Sequence, residues 1–109
     1  MSINIVVSDI VGINVKGTIN NEDGAAKPFD FSLVCTRLDT DAIGERVKSD
    51  GSITDFLAEV TLDWKGVKGP DGAPVPYAEE ALRKLCKIPG VAHVAYRAYL
   101  VEVGAKEKN

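Results

Sequence analysis

This sequence is poor in the residue types on which most enzyme chemistry rests. It holds one histidine, one tryptophan, one methionine and two cysteines in 109 residues. His93 stands among alanines and valines, where an imidazole reads as structural or surface rather than as a general base. Cys35 and Cys86 match no zinc or redox spacing and read as buried free thiols. Pairing them would take an oxidising compartment. No phosphate-binding loop, dinucleotide fingerprint, zincin motif or nucleophile elbow occurs. The polar run NNEDG carries acids but lacks the spacing and closing glutamate of a calcium loop. Asp39 and Asp41 read as acids at a helix start.

Two further shortages narrow the partners. Lysine and arginine total 13 against 16 acids, for a net charge of -3 and a pI near 5.1. The basic footprint of a nucleic-acid binder is absent. No apolar run approaches the roughly 20 residues of a membrane-spanning helix. The opening MSINIVVSD has no basic stretch and too short an apolar run for a secretory signal. The expectation is a cytoplasmic, non-enzymatic protein. It needs no metal and no cofactor, and neither nucleic acid nor membrane is among its partners.

What is present fits one α+β domain with 45% hydrophobic residues. Its first part, 1–38, is β-rich. Val11, Ile13 and Val15 alternate with Gly12, Asn14 and Lys16, the period-two pattern of a half-buried strand. After NNEDG, Phe29, Phe31, Leu33 and Cys35 alternate with Asp30, Ser32, Val34 and Thr36. Two such runs around a Gly-containing polar loop predict an antiparallel hairpin. The opening INIVV is a candidate third strand beside Val11–Ile19.

From Asp39 the period changes, and 39–104 reads as three to four helices. Thr40 or Asp41 is placed to cap a short first helix, with Ile43 and Val47 on one face. Ser52 caps a second, with Asp55 three residues on. Ile53, Phe56, Leu57, Val60 and Trp64 then fall on one helical face, which predicts a helix continuing to about Gly66. Pro70 and Gly72 mark a turn. Tyr77 opens a third helix with Glu79 and Glu80 in its first turn and Leu82, Leu85 and Cys86 facing inward. Pro89-Gly90 separates it from a last helix that ends near Gly104. Residues 105–109 form a polar tail.

Two features suggest binding. Val91–Val103 is apolar nearly all round, more than a terminal helix of a small domain would need for its own core. This marks Val91, Val94, Tyr96, Tyr99, Leu100 and Val103 as candidate protein-contact residues and suggests a homo-oligomer. Trp64, Gly66, Gly72, Pro76 and Tyr77 form a candidate structural anchor around a rigid turn. Trp64 itself has two readings, core residue or contact surface.

The order of these elements resembles the tail assembly chaperones of long-tailed bacteriophages and prophages. The resemblance rests on Trp64, Gly66 and Val67 before a Gly72 turn, then Pro76-Tyr77, Glu80, Leu82 and Leu85, and finally Tyr99 and the terminal Asn109. Upstream, Gly17, Gly24, Phe29, Phe31, Arg37 and Leu38 are similar to the family's hairpin. Each motif alone is weak; their order spans most of the chain. The resemblance implies a holdase that coats the tape measure protein, brings tail tube protein to it and is absent from the mature virion. The alternatives are a small structural virion or tail-completion protein, or a generic bacterial adaptor.

Overall fold

The computed structural model describes residues 9–20, 22, 24–48 and 52–104. Strands β1 (Ile10–Asn20) and β2 (Ala26–Thr36) form the expected hairpin. Their register is unbroken from Ile10 opposite Thr36 to Asn20 opposite Ala26. Helices α1 (Thr40–Lys48) and α2 (Ile53–Val60) follow, then β3 (Thr61–Lys65), α3 (Glu79–Cys86) and α4 (Val91–Val103). The sheet is antiparallel in the order β1-β2-β3. The fold is α+β, with a hairpin first and four helices after it among the described residues.

One expectation is corrected here. The second helix does not run to Gly66 but ends at Val60, and the next residue begins β3. Residues 39–104 are therefore not all helical. The run Val60-Thr61-Leu62-Asp63-Trp64 is rich in β-branched and large apolar side chains, which suits a pleated surface. The helical spacing was a coincidence with a physical origin. A bulge opposite Val34 and Cys35 inserts Leu62 between Thr61 and Asp63. Thr61 and Trp64, three apart, consequently both face the core, while Leu62 and Asp63 face out. A bulge in a strand thus imitates the i, i+3 spacing of a helix. The third strand comes from this segment; INIVV lies outside the described residues.

The local start signals hold in part. Ser52 Oγ accepts from Asp55 N at 3.1 Å and caps α2 as expected. At α1 the cap is Asp39 instead of Thr40 or Asp41: its Oδ1 accepts from Ala42 N at 2.8 Å. Tyr77 lies ahead of α3, which starts at Glu79 after the extended Ala78. Gly90 takes φ +90° at the start of α4, a conformation that favours glycine.

Helices cover one face of the sheet. Val11, Ile13, Val15, Phe31, Leu33, Cys35 and Trp64 point into this layer. Phe56, Leu57 and Val60 of α2, Leu82 of α3, and Val91, Ala95 and Tyr99 of α4 meet them. Alpha-helix α4 packs chiefly on β1 and also touches α2 and α3. Phe56 stands edge-on to Tyr96 and Tyr99, with both ring pairs 5.3 Å apart. The apolar character of α4 is largely used in this packing.

Polar contacts tie α4 to the end of β2. Tyr99, fully buried, donates from Oη to Thr36 O at 2.9 Å and accepts from Leu38 N at 3.1 Å. Arg37 Nη1 donates to Val103 O at 2.9 Å, satisfying a carbonyl at the helix C-terminus where positive charge is favoured.

Trp64 is 6% exposed and sits opposite Leu33. Replacing it with alanine should cost about 3–5 kcal/mol through lost transfer energy and the cavity left behind. Denaturant titration checks this; a loss under about 1 kcal/mol would mean that the ring is not a core element. Tyr99→Phe should cost about 1–3 kcal/mol, because the amide of Leu38 and the carbonyl of Thr36 lose a buried partner.

Candidate functional site

The predicted anchor forms a closed unit around Trp64. Its Nε1 donates to Val75 O at 2.8 Å. Its ring meets that of Tyr77 edge-on at 5.2 Å, and Tyr77 Oη donates to Thr61 O at 3.2 Å. The loop after β3 is thereby folded back onto the strand it leaves. Val75 N donates to Val67 O, and Gly69 N to Ala73 O, each at 2.9 Å. Gly66 turns with φ +85° close to Asp30 O and Phe31, and Gly72 turns the tip with φ +80°. Pro76 is exposed in the return arm.

This returning loop helps enclose a groove of about 380 Å³. The groove lies where the helical layer ends and the hairpin continues. Core-facing residues of β1 are buried as far as Val15; Gly17 and Ile19, beyond it, are half-covered. On the hairpin side the groove is lined by Ile19, Phe29 and Phe31. Leu85, Ile88 and Val91, around the corner between α3 and α4, line the other side, and Val67 stands between them. Asp30 and Lys68 contribute one charge of each sign.

Phe29 is held in place by a missing side chain. Gly17 lies opposite it in the hairpin, and a Cβ there would come within 2.5 Å of the Phe29 ring. The ring therefore lies across the glycine, an arrangement that protects an open backbone position. Phe31 is 6.1 Å from Phe29, centroid to centroid. The surface so formed is a concave seat of mixed polarity, whose apolar wall residues are placed to meet side chains of another polypeptide.

The predicted contact residues fall differently. Val91 lies in the groove wall but is only 3% exposed, and Tyr99 is fully buried. Tyr99 therefore serves as a core anchor here, not as an exposed contact. Val94, Tyr96, Leu100 and Val103 are half-buried against the core. Sequence reasoning assigned no contact role to Ile19 and Ile88 in the groove, nor to Val101, which is 59% exposed; Val67 was named only for the resemblance. Ile19 carried a usable signal, as an apolar residue at the far end of an alternating strand, beyond the reach of the helices.

No group of three or more candidate metal ligands occurs among the described residues. No described helix is long and apolar enough to cross a membrane. Arg83 bridges α3 to α2 through Asp55 at 2.7 Å and also pairs with Glu79; Arg46 pairs with Glu59. The Arg83 hydrogen bond holds the Asp55 carboxyl below its ordinary range. These pairs are exposed and contribute little to stability.

Burial raises the thiol pKa of Cys35, which lies 3.7 Å from Thr61 Oγ1, and that of half-buried Cys86. Less thiolate is present at a given pH, and access is restricted. A thiol reagent at pH 8 should therefore react with Cys35 only as the chain unfolds, and with Cys86 faster than with Cys35. Mass spectrometry of the labelled native protein checks the order. Comparison with family models, curated proteins and solved structures gives no match for this chain.

Proposed function

We propose that this protein is a non-enzymatic tail assembly chaperone, which holds the tape measure protein and promotes polymerisation of tail tube protein around it. The observation that carries the proposal is the groove, walled mainly by apolar residues, between the hairpin end and the α3–α4 corner. A long helical client presents repeating apolar side chains, and a groove flanked by Phe29, Ile88 and Leu85 suits them. The resemblance in Trp64, Gly66, Gly72 and Tyr77, which together build the loop beside this groove, supports the same reading. Modest affinity per copy, repeated along one client, gives avidity without a strong single site. Several copies then act together, in the cytoplasm of the host and before the tube closes.

Co-expression with the tape measure protein tests this. The chain should keep that client soluble and be recovered with it at both low and high salt. Screening acts on exposed charges over about 10 Å at 0.1 M and leaves apolar contact intact. Ile88→Asp should cut recovery by about tenfold or more, as loss of a buried apolar anchor does. Lys68→Glu should change it little, and circular dichroism should show both variants folded. Dissociation at high salt, or equal recovery with Ile88→Asp, contradicts apolar recognition in the groove. Presence of the chain in purified virions favours a structural subunit instead.

A further inference from the structure

The loop between β3 and α3 is stiff inside and thinly tied outside. Gly72 N donates to Gly69 O and Gly69 N to Ala73 O, closing its tip, and Asp71 Oδ1 accepts from Ala73 N at 3.1 Å. Val75 N donates to Val67 O, and Lys68 pairs with Pro74 as an isolated bridge. Three of the chain's five prolines, Pro70, Pro74 and Pro76, fix φ in the same stretch. Residues 67–75 are therefore braced along their length and form one body.

Few ties join this body to the rest of the chain. Its tip, 70–74, is exposed. Val67 and Val75 are the side chains that reach the core. Among the described residues, one hydrogen bond connects 67–75 with anything outside the loop, from Trp64 Nε1 to Val75 O at 2.8 Å. The bond from Tyr77 Oη to Thr61 O lies past the far end and holds the approach to α3 instead. Each end of the body has an exposed link. Gly66 takes φ +85° at one end, and Pro76 stands at the other. Hinged loops absorb their motion at a few positions of this kind.

The inner side of the body is a wall of the groove. Val67 and Lys68 line it, across from Phe29 and Ile88. Val67 is held there in two steps: the indole fixes Val75 O, and Val75 N fixes Val67 O. Opening the indole hydrogen bond releases Val67 and leaves the sheet intact. Such an opening gives up one hydrogen bond and the contacts of two valines. It therefore belongs to the low-energy end of native-state motion, far below unfolding of the domain.

We propose that 67–75 is a hinged strap over the groove, turning at Gly66 and Pro76, with the Trp64 indole N–H as its latch. Swung out, the strap admits an apolar side chain of the client. Latched, it brings Val67 back against that side chain. Trp64 is thus a positioning residue that acts on the groove through Val75 and Val67. The clamping role rests on the groove being the client site; the latch does not.

Hydrogen exchange of isotope-labelled protein, read by nuclear magnetic resonance, tests the latch without a client. The chain has one tryptophan, so the indole N–H gives one signal. The amides of Ile13 and Leu33, opposite each other in the buried middle of the hairpin, report wider unfolding. After correction for intrinsic rates, the indole N–H should exchange about a hundredfold faster than either amide, or more. Exchange of the indole in step with those amides would mean that the bond breaks only when the domain unfolds, and overturns the proposal. Trp64→Phe keeps an apolar ring and removes the latch. In this variant the amides of Gly69 and Val75 should keep their protection within about threefold, because their acceptors move with them. Loss of that protection would mean that the loop unravels instead of turning, and overturns the single body.

Co-expression with the tape measure protein tests the clamp. Trp64→Phe, with Ile13 and Leu33 still protected, should lower recovery of the client about fivefold, as loss of one hydrogen bond does. Val67→Ala, which shortens the clamping side chain and leaves the latch, should act in the same direction. Tyr77→Phe removes the hydrogen bond outside the strap and should leave recovery nearly unchanged. Full recovery with Val67→Ala, or equal losses with Trp64→Phe and Tyr77→Phe, overturns the clamp and leaves the client reading intact. No recovery by the unaltered protein overturns the client reading and the clamp together, while the indole exchange still decides the latch.

Discussion

The Trp64 indole ties the sheet, the core and the loop after β3 together through one side chain. Its apolar face closes the core beside Leu33, and its Nε1 donates to Val75 O. One side chain thus seats β3 in the sheet and returns the following loop to it. Tyr77 completes the closure by packing edge-on against the ring and bonding to Thr61 O. The direction in which α3 leaves depends on this closure, and α4 follows through the short turn at Pro89-Gly90. The second fastening is Tyr99, whose hydroxyl joins the far half of α4 to the end of β2. Between them, these two aromatic residues fix the helical layer over the sheet at both ends.

The layer fixed in this way is smaller than the sheet. An 11-residue hairpin strand spans roughly 37 Å at about 3.4 Å per residue. The 13 residues of α4 span only about 20 Å at 1.5 Å per residue. The hairpin therefore outruns its cover, and the groove lies at the uncovered end. The candidate binding surface follows from this mismatch, and it needs no catalytic group.

Local signals in the chain were sufficient where a feature is decided by near neighbours in sequence. The hairpin was legible because Val11, Ile13 and Val15, and then Phe31, Leu33 and Cys35, alternate around one polar loop. Ser52 was legible as a cap because its partner is Asp55, three residues away. The turn glycines Gly66 and Gly72 were legible because positive φ favours that residue type. Trp64 was read either as a core side chain or as a contact, and in both cases on the wrong element, since its strand depends on Leu33, 31 residues upstream.

By itself, the sequence determined the α+β class, the hairpin, the capped helix α2 and the identity of most buried residues. These rest on period, propensity and local hydrogen bonding, which act over a few residues. Tertiary structure alone decided that Thr61–Lys65 is a strand, since the bulge against Val34 and Cys35 exists only once β2 is present. It also turned Tyr99 from an apparent surface contact into a buried anchor, because its acceptor and donor lie some sixty residues away, at Thr36 and Leu38. The groove was decided there too. It is defined by where covering elements stop, and that boundary is set by packing between segments distant in the chain.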